Sequence, residues 1–227
     1  MGQSGEWRTY PDNPCGGVTN VGHYGGIIRN NFILQKSEAL YASESGFDSG
    51  ISLDQVCGAK IVHNTVFSTD TAFSSIEWRY ANTNVEITNN LVSHSLMKRD
   101  NGNAVLKGNL ENALSAWFSD VSNGNLHLIE SATNAIDKGV TVEDNLCEED
   151  IDGNARDANP DIGADEWCAI QPGDLDGNCL VTLRDAVLAL QITAGRMLSE
   201  VSIDGDAVKD EKIGLSDANY ILKKLSE

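Results

Sequence analysis

The chain has 227 residues, with 34 Asp and Glu against 16 Lys and Arg, so its formal net charge is −18 at pH 7. Such a chain lacks the basic footprint that nucleic acids and anionic membrane surfaces require, and it favours divalent cations as partners. Hydrophobic residues make up 41% of the sequence, which is enough to bury a core. No apolar run approaches the roughly 20 residues needed to cross a bilayer.

The five cysteines include no CxxC pair, which argues against a zinc ribbon or a redox motif. Together with the acidic, Gly- and Asn-rich composition, they favour an extracellular or cell-surface location, where disulfides form. We expect Cys15 to pair with Cys57, and Cys168 with Cys179. The alternative is that the cysteines are small buried thiols. The odd count leaves at least one thiol unpaired or paired with another chain.

A repeated pattern runs through the first part of the chain. Short apolar stretches interrupted by Asn alternate with a second set of short strands whose residues have period-2 hydropathy. The first set is 27–33, 61–67, 85–92 and 105–110, and the second is 50–54, 75–79 and 95–99. Stacking buries the apolar face of each coil and pairs its backbone edges. The pattern therefore predicts a parallel β-solenoid, with an antiparallel sandwich as the alternative.

Asn at the bends suits stacked coils, because it tolerates left-handed backbone and its amide can bond to the same residue of the next coil. Residues 14–130 resemble the last coils of a right-handed parallel β-helix protein of the pectate-lyase-like superfamily. The segments AIDKG (135–139), DIDGNAR (150–156) and PDIGADE (160–166) are similar to the terminal segment of many secreted bacterial β-helix proteins. The resemblance implies a mainly β fold over 1–167, a right-handed parallel β-helix that this segment caps.

After a linker at 168–173, the sequence has two stretches with the apolar spacing of three and four residues that is typical of amphipathic helices. They predict helices over 183–193 and 215–225. The apolar positions are Ala186, Val187, Leu190 and Ile192 in the first helix, and Ala218, Ile221, Leu222 and Leu225 in the second.

The loop before the first predicted helix has the spacing of a calcium loop. From Asp174 to Asp185, oxygen-bearing side chains fall at positions 1, 3, 5, 9 and 12, and position 7 offers a backbone carbonyl. Ca²⁺ takes about six to eight oxygens, which a tight loop presents by turning alternate residues inward. The predicted ligands are Asp174, Asp176, Asn178, Leu180, Thr182 and Asp185. Cys179 stands at position 6, where Gly is usual, so the sharp turn is strained. The alternative is a solvated acidic turn.

A degenerate copy of this loop runs from Asp206 to Asp217. Positions 1, 5 and 12 are acidic, but position 3 is Val208, which cannot ligate a cation. We expect a weaker calcium site here, completed by water or by an oxygen such as that of Asp204. The predicted ligands are Asp206, Asp210, Lys212 and Asp217.

Two such loops, each followed by a helix, resemble a type I dockerin module over 168–227. The matching segments are GDLDGN (173–178), VTLRDA (181–186) and KIGLSDA (212–218). The resemblance implies a small α-helical domain, calcium-dependent folding, an extracellular setting and docking to a cohesin-like partner through loop positions 10 and 11. These positions hold Leu183 and Arg184 in one copy, and Leu215 and Ser216 in the other. Because the pairs differ, we do not expect symmetric docking.

Lyases and hydrolases on β-helices carry Asp, Arg or Lys on an outward strand face, along which a polysaccharide lies. Alignment of the second strand set places Asp54, Arg79 and Arg99 at equivalent positions, with Glu77 two residues before Arg79. A carboxylate beside stacked arginines can bind an acidic sugar or assist proton abstraction. These four are the candidate catalytic residues. The alternative is a solvent-exposed charge ladder.

Three functions are therefore open from the sequence. The first is a secreted or cell-surface β-helix protein whose dockerin-like module binds calcium and mediates assembly. The second is a polysaccharide lyase or glycoside hydrolase on the same scaffold. The third is a structural subunit of an extracellular polymer that grows by self-association.

Overall fold

The computed structural model describes residues 1, 15, 21–36, 49–198 and 201–227. The chain divides into two compact units, Met1–Trp167 and Cys168–Glu227. The described part of the first unit is mainly β, and the second unit contributes two α-helices. Neither of these helices combines the length and the continuous hydropathy that a bilayer crossing requires.

Strands β1 to β11 of the first unit form three parallel sheets. The first sheet contains β1 (His23–Tyr24), β2 (Ile27–Arg29), β5 (Val56–Val62), β8 (Asn84–Thr88) and β11 (Asn103–Lys107). The second sheet contains β3 (Phe32–Gln35), β6 (Thr65–Ser68) and β9 (Leu91–Val92), and the third contains β4 (Ser49–Asp54), β7 (Ser74–Arg79) and β10 (Leu96–Lys98). The chain passes through the sheets in the same order each time, which is compatible with a β-helix. The antiparallel sandwich is wrong, because these pairings are parallel.

Equivalent apolar side chains stack on one another between successive passages. In the first sheet, Ile61 is in register with Ile28 on one side and with Ile87 on the other. In the third sheet, Ile76 lies between Ile51 and Leu96. Most of these side chains belong to one buried cluster inside the sheets. Full burial of one Ile contributes about 2 kcal/mol, so each passage depends on its neighbours for its core.

A ladder of Asn side chains links the passages at one corner. The Asn31 amide donates to Asn64 Oδ1 at 2.8 Å, Asn64 donates to Asn90 at 2.9 Å, and Asn90 donates to Asn109 at 2.9 Å. The predicted bonding between equivalent Asn residues is therefore confirmed. The left-handed residue is the one before each ladder Asn, with φ of 51° at Asn30, 50° at His63, 55° at Asn89 and 60° at Gly108.

Residues 110–167 cover the outer face of the second sheet. They include short 3₁₀ helices at Ser115–Trp117 and Val121–Asn123, and the antiparallel strands β12 (Phe118–Asp120) and β13 (Asn125–Leu128). Leu126 and Leu128 form a buried cluster with Phe67 and Leu91 of the sheet. The terminal segment identified from the sequence, residues 135–166, therefore lies alongside the stacked strands.

The same segment is bonded to the corner that carries the Asn ladder. His63 Nε2 accepts from the Asn89 amide at 2.9 Å, so Nδ1 carries the proton and donates to the Gly163 carbonyl at 3.1 Å. Burial, followed by the charge of the nearby Arg156, lowers the pKa of His63 to about 3. The imidazole is therefore neutral near pH 7 and has a structural role.

Both predicted disulfides, Cys15–Cys57 and Cys168–Cys179, are present. The first attaches residue 15 to β5, and the second lies within the second unit. Cys147 is a buried free thiol. The alternative that all the cysteines are thiols is therefore wrong for four of the five.

The two α-helices are α1 (Leu183–Thr193) and α2 (Leu215–Lys224), with a 3₁₀ turn at Ile203–Gly205 between them. The first helix has the predicted bounds, and the second ends one residue earlier than predicted. The predicted apolar faces are only partly buried. Val187 and Leu190 are 51% and 43% exposed, whereas Ala186, Leu188 and Ala189 are buried, so the buried strip of α1 is rotated from the predicted one.

Asn90→Ala tests the ladder. The Asn90 side chain is fully buried and bonds to the carbonyls of Ile61 and Thr88 as well as to its neighbouring Asn residues. Because the substitution leaves several buried groups without partners, we expect a loss of about 3 kcal/mol in the unfolding free energy of the first unit. Asn84→Ala, at an exposed position of β8, should change it by less than about 0.5 kcal/mol. Urea denaturation measures both, and equal effects would contradict the role of the ladder.

Candidate metal centre

The loop before α1 folds around two buried carboxylates. Asp174 accepts hydrogen bonds from the backbone amides of residues 177–179, at 2.9–3.2 Å. Asp185, in the first turn of α1, accepts from the amides of Leu175 at 2.8 Å and Thr182 at 2.7 Å. These bonds hold the first and last positions of the loop close together.

Asp176 completes a cluster of three carboxylates. One oxygen from each of Asp174, Asp176 and Asp185 lies within 4.8 Å of the others, a separation that a single cation can span. Asp176 Oδ2 pairs with Arg184 Nε at 2.8 Å, whereas Oδ1 is buried and has no hydrogen-bond partner in the described part of the chain. Burial, reinforced by the charge of Asp185, raises the pKa of both Asp174 and Asp176. The donors therefore fit a divalent cation.

The other predicted ligands of this loop also make local bonds. Asn178 Oδ1 accepts from the Leu180 amide at 3.0 Å. Thr182 Oγ1 donates to Asp185 at 3.0 Å and accepts from the Arg184 amide at 3.2 Å, so it caps α1. Cys179 has a φ of 72°, the left-handed conformation for which Gly is the usual residue.

The second loop repeats this backbone. Asp206 accepts from the amides of residues 208, 209 and 211, and Asp217 accepts from those of Ala207 and Gly214. Lys209 and Glu211 have φ of 58° and 63°, matching Gly177 and Cys179 in the first loop. Val208 takes the place of Asp176. The described residues therefore form no group of three metal ligands in this loop.

Two predicted ligands of the second loop, Asp210 and Lys212, are exposed at its surface. Asp210 Oδ1 accepts from the Lys212 amide at 3.1 Å, in the same way as Asn178 accepts from the amide two residues later. Both loops therefore share one fold, but only the first concentrates three carboxylates. This difference agrees with the expectation that the first loop is the stronger cation site.

The four candidate catalytic residues lie on the third sheet or directly after it. Asp54 is in register with Arg79, as the alignment predicts. Glu77, which is 4% exposed, pairs with Arg99 at 3.1 Å, and Arg79 pairs with Asp100 at 2.8 Å. Both arginines are thus paired with carboxylates. The residues form a ladder of charges in which Glu77 is buried, and the catalytic role stays a prediction.

Sequence reasoning missed a further cluster, His127, Asp152 and Asp165, in the first unit. One signal for it was present: DIDGN at 150–154 has the same pattern as DLDGN at 174–178. The other members lie in β13 and near the end of the unit, so only the tertiary fold brings them together.

Comparisons with models of protein families, with curated proteins and with solved structures find no match.

Arg99→Gln and Arg79→Gln form a matched test of the charge ladder. Among the described residues, loss of Arg99 leaves the buried Glu77 carboxylate with only the Ser52 hydroxyl, which donates to it at 3.1 Å. We expect a destabilisation of about 2 kcal/mol for Arg99→Gln. Arg79 pairs with the exposed Asp100, so its loss should cost less than about 1 kcal/mol. The unfolding free energy measures both, and a larger loss for Arg79→Gln would contradict this assignment.

Proposed function

We propose that this chain is an extracellular or cell-surface protein in which a right-handed parallel β-helix carries a calcium-binding, dockerin-like module for protein–protein assembly. The cluster of Asp174, Asp176 and Asp185 carries the proposal. Three carboxylates at this spacing, one with a buried oxygen that no described residue bonds, destabilise the loop unless a cation compensates them. The donors in the loop are all oxygens, which is the chemistry that Ca²⁺ prefers.

Hydrogen bonds and an ion pair within the loop hold its three carboxylates in position before a cation binds. Backbone amides hold Asp174 and Asp185 at the two ends of the loop, and the Arg184 guanidinium holds Asp176. A bound Ca²⁺ supplies the positive charge that offsets the repulsion among the three carboxylates. Since Arg184 already compensates part of this charge, it also limits the affinity of the site.

Two features support the proposed location. The Cys15–Cys57 and Cys168–Cys179 disulfides persist in oxidising compartments and are rare in the cytosol. Extracellular calcium modules bind with Kd of about 10⁻⁴–10⁻³ M, so a weak calcium loop is compatible with an extracellular location. Both features agree with the acidic composition of the chain.

The exposed apolar face of α1 supports the assembly role. Leu183, Val187 and Leu190 are separated by four and three residues and are 65%, 51% and 43% exposed. Apolar anchors with this helical spacing are the kind of surface that an amphipathic helix presents to a partner's groove. Leu215 and Leu222 are exposed at the equivalent positions of α2, but Asn219 stands between them where α1 has Val187. We propose that α1 supplies the main docking face for a cohesin-like partner.

Calcium binding is tested by isothermal titration of the full chain and by thermal unfolding. We expect Ca²⁺ to bind and to stabilise the second unit by about 2.7 kcal/mol when it is present at 100 times its Kd. Asp174→Ala should abolish binding at the first loop and remove this stabilisation. Arg184→Gln should tighten binding, because it removes the cation that competes for Asp176.

Glu227→Gln is the matched control for this experiment. It removes one negative charge from an exposed position of the same unit, so calcium affinity should remain unchanged. A chain whose melting curve is the same in Ca²⁺ and in chelator would contradict the proposed function.

The assembly role is tested by sedimentation velocity with a type I cohesin domain as the probe. We expect a complex in Ca²⁺ that dissociates when chelator is added. Leu183→Asp should abolish the complex, whereas Leu215→Asp, at the equivalent position of α2, should weaken it less. Absence of the complex would overturn the docking role, and calcium-dependent self-association in its place would favour the polymer subunit.

A further inference from the structure

Three segments of the first unit converge beside β13. In this strand, Leu126 and Leu128 are buried in the core, so His127 lies on the opposite face. Asp152 comes from the DIDGN turn, and Asp165 precedes the end of the unit. One ring nitrogen of His127 and one oxygen of each Asp lie within 4.8 Å of one another.

The surroundings of His127 fix its ring in one orientation. Asn125 Oδ1 accepts from the His127 backbone amide at 3.0 Å and lies 2.5 Å from Nδ1, so Nδ1 carries a proton. The Phe32 ring packs edge-on against the imidazole, with centroids 4.9 Å apart. Nε2 is therefore directed at Asp152 Oδ2, 2.8 Å away. A carboxylate oxygen and an unprotonated ring nitrogen repel each other unless a proton or a cation lies between them.

Asp165 supplies the third donor of the cluster. Its side chain is only 6% exposed, and Oδ2 accepts from the Leu128 amide at 2.6 Å, which holds the carboxylate beside His127 and Asp152. Burial of a carboxylate is costly, and a coordinated cation offsets that cost.

The net charge around this cluster is negative. Asp161 and Glu166 are buried near Asp165 in the sequence, Asp150 is buried beside the Glu166 amide, and the buried Arg156 is paired with Glu166 at 2.9 Å. The positive charge of Arg156 therefore compensates only part of the carboxylates of this segment.

We propose that His127, Asp152 and Asp165 form a second cation site, one that selects a transition metal such as Zn²⁺ over Ca²⁺. The donor set consists of one imidazole nitrogen and two carboxylate oxygens. Calcium and magnesium take oxygen ligands, whereas Zn²⁺ binds nitrogen and oxygen together and reaches four-coordination with one water. Asn125 is a positioning residue, because its bond to Nδ1 orients the ring nitrogen that binds the metal.

The site is tested by titrating the full chain with Zn²⁺ while the calcium loops are held in excess Ca²⁺. We expect the Nε2 resonance of His127 to move in ¹⁵N spectra of the histidine side chains, with Nδ1 remaining protonated. His127→Gln should weaken Zn²⁺ binding by more than about tenfold, and Asn125→Ala by about tenfold. His94→Gln should have no effect, because the ring of His94 bonds to Ser93.

Melting temperatures without metal show whether His127→Gln is folded. If this variant does not fold, the shift of the His127 Nε2 resonance when Zn²⁺ is added to the unmodified chain still tests the site. An unchanged Nε2 resonance at saturating Zn²⁺, or equal Zn²⁺ affinity for His127→Gln and the unmodified chain, would overturn the site. The result is independent of the proposed calcium function, since Zn²⁺ binding here does not require the loops of the second unit.

Discussion

The first unit depends on register between successive passages of the chain. A passage by itself buries little, because each short strand shows one apolar face that only its neighbours can cover. The Asn ladder sets the alignment through side-chain bonds that repeat from Asn31 to Asn109. Slippage by one residue would bring inward-facing side chains to the outer face and would break several buried amide bonds at once. The outer layer of residues 110–167 is in turn positioned by this corner, through contacts such as that of His63 with Gly163.

A second constraint, shared by both units, is carboxylate charge that the protein itself does not fully compensate. In the second unit, Asp174 and Asp185 are held by backbone amides, while Asp176 pairs with Arg184 and has one oxygen without a hydrogen bond from the described residues. In the first unit, Asp165 has the corresponding position beside His127. The difference in donors, oxygen alone or oxygen with an imidazole nitrogen, is what separates the two proposed cations.

Much of this architecture follows from local sequence pattern. The strand sets, the pairing of Asn with Asn, both disulfides and the bounds of α1 were predictable, since they depend on short repeats, turn chemistry or spacing. The buried face of α1 was not predictable, because the strip that packs in the core of the second unit contains Ala186, Leu188 and Ala189 rather than Val187 and Leu190. The pairing of Arg79 with Asp100 and the meeting of His127 with Asp165 depend on tertiary contacts. Periodicity carries no information about such contacts.

The Asn ladder also explains how successive passages of the chain can differ in length. Consecutive ladder residues are separated by 33, 26 and 19 positions, yet their side-chain bonds are nearly identical. Most of this difference lies in the connection from the second sheet to the third, which runs from Gln35 to Ser49 in one passage and from Val92 to Leu96 in another. The connection between those sheets is thus the place where peptides or whole binding loops can be grafted. Grafted loops would be spaced by the distance between stacked strands, and the strand pairing would be unchanged.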